Sequence, residues 1–169
     1  MSAFHEEMER RFGTDKALGV VAVMWDCSGK EDSITVPIDD ADKLPQHIRD
    51  TFDCQSEFPD GTSAICCTNY AIQIFKAMPG RVRIFGFANE DNPTSRVARE
   101  ELHPGGHDFA VVDDRYIVDP WLRLVLGEKG PIVFDMHDEV QAAIALDNYG
   151  PRSCWRAMVE AEAFALSLQ

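Results

Sequence analysis

Positive charge is what this sequence has least of: 16 lysine and arginine residues stand against 29 aspartate and glutamate, a formal net charge of −13. A surface this acidic repels phosphate backbones and anionic headgroups, so nucleic acid and membrane are not expected partners; a basic protein or a neutral peptide-like substrate is. The same charge also serves plain solubility, and the two readings carry equal weight. Long hydrophobic runs are missing too. The longest near the start, Leu18 to Trp25, is far too short to span a bilayer, and the acidic opening Met1-Ser-Ala-Phe-His-Glu-Glu7 has no apolar leader core. The expected location is the cytoplasm, or export without a cleavable signal peptide. Internal repeats and low-complexity tracts are also lacking.

Cysteines are few and odd in number: Cys27, Cys54, Cys66, Cys67 and Cys154. Without a small-scaffold spacing they read as reduced thiols. A metal set of Cys54, Cys66, Cys67 and His103 can be assembled on paper, but no C-x-x-C spacing supports it, and neither metal nor cofactor is expected. At 169 residues, 45% hydrophobic and 27% charged, the chain is expected to form one domain over its whole length with a continuous core.

What is present follows a regular order. Phe4, Met8 and Phe12 mark an amphipathic helix over residues 2–12 closed by Gly13. Leu18–Trp25 and Ser33–Ile38 read as strands around a turn at Asp26–Gly29. Leu44, Ile48 and Phe52 line a short helix with Pro45 in its first turn, and Asp53–Ser63 is loop. A helix is expected over Cys67–Met78, a strand over Arg81–Phe87 and a short helix near Thr94–Leu102. After the Pro104-Gly105-Gly106 break, His107–Val112 and Tyr116–Asp119 form a hairpin. A loop at Gly127–Gly130, a strand Ile132–Phe134, a helix Asp135–Leu146 with Val140, Ala143, Ile144 and Leu146 as its apolar residues, and a last helix from about Ser153 to Leu168 complete the chain. Helices flanking a mostly antiparallel sheet make an α+β fold.

Three groups in that order carry chemistry. Cys66 and Cys67 open a helix, where unpaired N–H groups and the dipole favour a thiolate and can hold an oxyanion. Cys67 shares the face of Tyr70, Ala71, Ile74 and Phe75, while Cys66 is rotated about 100° away; this favours Cys67 as the group aimed at the sheet. Buried small hydrophobes are the plain alternative for both. Whether His107 and Asp119 meet depends on register. A two-residue turn sends them to opposite faces. A three-residue loop at Asp113-Asp114-Arg115 sets Asp119 opposite Phe109, so that His107, Phe109, Val111, Ile117 and Asp119 share one face. In that register Asp119 orients the imidazole and His107 takes the thiol proton. Otherwise His107 is a surface histidine and Asp119 a turn residue before Pro120.

Cys67-Thr-Asn-Tyr-Ala71 with Arg81-Val-Arg-Ile-Phe-Gly-Phe87 resembles the nucleophile helix and next strand of transglutaminase-like proteins, within the wider papain-like fold. His107-Asp-Phe-Ala-Val-Val and Tyr116-Ile-Val-Asp-Pro-Trp121 are similar to that superfamily's histidine and aspartate strands, and the Asp-Pro ending resembles papain-like effector proteases and glutamine deamidases of bacterial toxins. The resemblance covers about residues 62–121. It implies a papain-like or transglutaminase-like fold with the nucleophile helix packed on the sheet, and a thiol-dependent hydrolase of protein or peptide amide bonds that needs no cofactor. Its triad would be Cys67 as nucleophile, His107 as base and Asp119 as orienting acid, with Gln55 as an oxyanion donor. Ile65-Cys66 departs from the residues usual before the family's nucleophile and keeps Cys66 open as the alternative. A peptidoglycan amidase of the cell-wall peptidase type and an acidic binding module without activity are the rival readings.

Overall fold

A computed structural model of the chain describes residues 2–13, 23–25, 31–33, 67–102, 105–126 and 130–167. In chain order the elements are α1 (Ala3–Phe12), β1 (Val23–Trp25), β2 (Glu31–Ser33), α2 (Cys67–Ala77), β3 (Val82–Ala88), α3 (Arg96–Arg99), β4 (Gly106–Val112), β5 (Tyr116–Val118), α4 (Pro120–Leu126), β6 (Val133–Asp135), α5 (Glu139–Tyr149), a 3-10 turn (Arg152–Cys154), β7 (Arg156–Ala157) and α6 (Val159–Ser167). Five strands form one open sheet in the order β6-β5-β4-β3-β7, with every neighbouring pair antiparallel. β1 and β2 pair separately. The architecture is α+β, as the order of elements predicts. Among the described residues no helix is long and apolar enough to cross a membrane.

Strand alternation sorts the two faces of the sheet. Phe85 faces Phe109 across the β3–β4 ladder and Phe87 faces His107, so these four side chains share one face. Tyr149 of α5 and Trp155 pack on it, with ring centroids 4.8 and 5.0 Å from Phe109. The other face carries Val82, Ile84, Ala110 and Val112, all buried, with Gly86 opposite Asp108. Here α2 packs through Tyr70, Ala71, Ile74 and Phe75, beside α6. The apolar stripe expected on this helix is therefore its core face. α1 also matches expectation: Ser2 caps His5, Met8 and Phe12 are buried, and Phe4 stacks on Tyr116 at 4.2 Å.

Other elements differ from what the periodicity predicts. β1 covers Val23–Trp25 of the expected Leu18–Trp25 strand, and β2, Glu31–Ser33, begins before the expected Ser33–Ile38 strand; residues 18–22 and 34–38 lie outside the described residues. The turn at 26–29, the helix carrying Leu44, Ile48 and Phe52, and the loop at 53–63 lie outside the described residues. α4 was not expected; Asp119-Pro120 is its start signal, with Asp119 accepting from the Leu122 N–H and Pro120 at the first helical position. α5 begins at Glu139, capped by Asp138, not at Asp135, which ends β6.

The expected face of α5 is also reversed. Val140, Ile144 and Leu146 are 72%, 43% and 56% exposed, while Ala145, Asn148 and Tyr149 are buried. The core stripe of this helix is small or polar, so hydropathy points to the wrong side. The last helix starts at Val159 rather than Ser153, because the chain first adds β7 to the edge of β3, pairing Phe85 with Ala157 and Gly86 with Arg156. Beyond that short strand, Glu162 accepts from the Ile84 N–H at 2.8 Å and closes an otherwise bare edge.

The β4–β5 loop fixes the register. Asp113 and Asp114 both take positive φ, 51° and 53°, a conformation aspartate tolerates better than most residues. Each loop residue is tied to a different element. Asp113 accepts from Arg81, Asp114 from Arg152, and Arg115 donates both Nε and a terminal nitrogen to Asp135 at 2.8 and 2.6 Å. The Arg115 guanidinium, with help from the His137 N–H, lowers Asp135 to about 2 from an ordinary value of 3.8. A carboxylate depressed in the folded state contributes stability above its unfolded pKa and loses it as pH falls through the folded value. Asp135→Asn should therefore lower stability by about 1–2 kcal/mol at neutral pH, the Arg115 side being partly solvent-screened. In urea denaturation the gap between variant and parent should close as pH drops from about 4 to about 2.

Candidate active site

The three-residue loop pairs Ala110 with Val118, Val111 with Ile117 and Val112 with Tyr116. One step beyond that ladder Asp119 falls opposite Phe109, on the face that also carries His107. The two side chains meet: His107 Nε2 lies 2.7 Å from Asp119 Oδ2. Both residues are 2% exposed, which sets aside the surface-histidine reading of His107. The turn-residue reading of Asp119 holds in part, because its Oδ1 caps α4 through Leu122 while its Oδ2 engages the histidine.

Around the imidazole stand Trp121, Phe109, Tyr149 and Phe87, with ring centroids 4.6, 5.9, 6.0 and 6.2 Å away. Such a wall excludes water and strengthens each polar contact inside it. Tyr149 also reaches Asp119, its hydroxyl donating to Oδ2 at 3.0 Å. Burial, then the Asp119 charge, raises the Tyr149 phenol well above its ordinary range. The other ring nitrogen, His107 Nδ1, is buried and has no hydrogen-bond partner among the described residues.

Cys67 sits at the first residue of α2, 4% exposed, and its Sγ accepts the Asp108 N–H at 3.3 Å. Sheet geometry explains this donor. The Asn89 N–H bonds the Gly105 carbonyl, so odd-numbered β4 residues direct their backbone groups toward β3 and even-numbered ones toward β5. Asp108 would next face Pro120, whose carbonyl would accept the Asp108 N–H, but Pro120 starts a helix and its carbonyl leaves the ladder, so β5 pairing has ended. The freed Asp108 N–H goes to sulfur. α2 lies on the Asp108 side of the sheet, opposite the His107 side, and the thiol meets the strand at its edge, one peptide unit from the histidine. The structure thus joins His107 to Asp119 directly, and Cys67 to the same strand through the Asp108 backbone.

Gln55 and Cys66 lie outside the described residues, as do Cys54 and His103 of the paper metal set. Among the described residues no cluster of three or more histidine, cysteine or acidic groups is arranged for a metal. A cleft of about 350 Å³ lies elsewhere, lined by Leu122, Pro131, Phe134, Ile144 and Asn148 among others, and contains none of the three residues.

Sequence reasoning missed Tyr149, Trp121, Thr68 and Asp108. Tyr149 closes a helix whose core face hydropathy misassigned. Thr68 donates to Asp108 Oδ2 at 2.6 Å and ties the start of α2 to the strand; its position next to Cys67 was the only signal. Compared with family models, curated proteins and solved structures, the chain matches none.

The Thr68–Asp108 tie depends on Gly86. A Cβ there would lie 2.0 Å from Asp108 Oδ1 and 3.1 Å from Met158 Sδ. Gly86→Ala should force the carboxylate off Thr68 and cost about 1–3 kcal/mol. Chemical denaturation checks this, and most of the penalty should vanish in an Asp108→Ala background.

Proposed function

We propose that the chain is a thiol-dependent amidohydrolase of the transglutaminase-like or papain-like type, acting on amide bonds of proteins or peptides. The observation that carries this reading is the buried His107–Asp119 hydrogen bond on a strand whose next residue, Asp108, donates its N–H to the sulfur of a cysteine that opens a helix. In the proposed reaction His107 accepts the Cys67 proton, and the sulfur attacks an amide carbonyl. The tetrahedral oxyanion collapses to a thioester as the amine leaves with that proton, and water activated by His107 then releases the acid. The α2 N-terminus and the Asp108 N–H both favour negative charge at sulfur. Proteolysis and glutamine deamidation share this acyl-enzyme step. The net charge of −13 favours basic or neutral substrates.

One observation favours the second reading, a binding module of the same architecture. Cys67, His107 and Asp119 are all nearly closed to solvent, and most buried free cysteines are packing residues.

Iodoacetamide labelling across pH, with the modified cysteine located by peptide mass spectrometry, separates the two. The enzyme reading expects rapid labelling of Cys67 well below pH 8, slowed at least tenfold by His107→Ala. Uniformly slow labelling of every cysteine, with a midpoint near that of a free thiol, supports the binding module. Cys67→Ala and His107→Ala should each cut turnover of a protein amide substrate by a hundredfold or more, on the order expected when a nucleophile or its base is lost, and Asp119→Ala less. Labelling and activity that survive Cys67→Ala but not Cys66→Ala would move the nucleophile by one position.

A further inference from the structure

We propose that Tyr149 is a positioning residue for the His107–Asp119 pair: its hydroxyl holds Asp119 as an acceptor and so keeps the pair's proton on His107 Nε2. The catalytic meaning of this rests on the reading above; the placement of the proton does not.

Each oxygen of Asp119 has a donor besides the histidine. Oδ1 accepts from the Leu122 N–H at 3.3 Å, and Oδ2 accepts from the Tyr149 hydroxyl at 3.0 Å. An ionised carboxylate only accepts, so Nε2 at 2.7 Å must be the donor of the third bond. A proton on Oδ2 would have to share that oxygen with the tyrosine hydrogen, which the three contacts disfavour.

The far side of the ring agrees. With the proton on Nε2, Nδ1 is an acceptor, and among the described residues Nδ1 is the ring nitrogen that is buried without a partner. A bare buried acceptor is tolerated better than an orphaned N–H. Tyr149 is held for this task at both ends. Its own carbonyl accepts from Asn92 Nδ2 and Trp155 Nε1, each at 2.8 Å. Gly150, at φ +66°, leaves room for Asn92, since a Cβ there would lie 2.0 Å from the amide oxygen.

Among the described residues the groups around His107 are few. Asp119 precedes α4 and Tyr149 comes from α5; Cys67 of α2 reaches the backbone of the next residue. Asp108 turns its carboxylate to the other face of the sheet. Phe87, Phe109 and Trp121 carry no charge.

Removing the hydroxyl leaves Asp119 less satisfied and a stronger acceptor from Nε2–H, so the ring should take up its second proton, at Nδ1, more readily. Tyr149→Phe keeps the ring packed against Phe109 and Phe134. By NMR titration of the His107 ring in the full chain, the midpoint should rise by about 0.5–1 pH unit. The same substitution made in Asp119→Asn should leave the midpoint unmoved, because there is no carboxylate for tyrosine to act through. Circular dichroism and thermal melting establish that each variant is folded. An unchanged midpoint in Tyr149→Phe overturns the proposal, and so does an equal shift in both backgrounds, which would mean general loosening of the core. The enzyme reading fails on a different readout, slow labelling of Cys67 in the parent protein, and that outcome leaves the His107 titration interpretable.

Discussion

The site depends on the register of one hairpin. Side chains alternate along a strand, so a loop one residue shorter would turn Asp119 away from His107 and leave a buried imidazole without its carboxylate. Asp113-Asp114-Arg115 prevents this at some cost, since two non-glycine residues adopt positive φ. The cost is offset by ties from each loop residue to a separate element: Arg81 before β3, Arg152 after α5 and Asp135 at the end of β6. A slip in register would break all three together. The acidic and basic residues of this loop are therefore part of the geometry of a site at the other end of the strands.

Pro120 is the second constraint. As the first residue of α4 it takes its carbonyl out of the β4–β5 ladder, which ends at Val118, and leaves Asp119 in the capping position. Both consequences serve the same place. The cap fixes one carboxylate oxygen and aims the other at His107, and the end of the ladder releases the Asp108 N–H to the Cys67 sulfur. Chain order explains how residues from three elements converge: the helix that starts with the cysteine covers one face of β4, the aromatic layer covers the other, and the open end of the ladder connects them.

How much of this was legible in the sequence varied with the kind of signal. α1 and α2 were legible because their buried residues recur at helical spacing. The hairpin was legible because glycines and acidic residues bracket two runs of β-branched and aromatic residues, and the choice between its two registers was open only until the loop length was known. α5 was misread because Ala145, Asn148 and Tyr149 face inward while Val140 and Ile144 face solvent, so small and polar residues carry its core face. β7 was illegible for another reason. Two residues, both exposed, become a strand only because β3 offers an edge, a tertiary effect with no local trace. Tyr149 escaped notice because its role depends on Asp119, thirty residues earlier in the chain.

The composition of the aromatic layer bears on why the polar groups are there. Buried ionic pairs contribute little net stability, and apolar residues of similar volume often serve as well or better. A layer containing Phe85, Phe87, Phe109, Trp121 and Phe134 would accept such replacements readily. The His107–Asp119–Tyr149 arrangement instead gathers an imidazole, a phenol and a backbone N–H on one carboxylate inside that layer. Net stability gives little reason to bury it there. What the arrangement does is fix the direction from which Asp119 meets the imidazole, and that is what the proposed hydrolase asks of an orienting acid, whereas a module that only bound a partner would have no use for it.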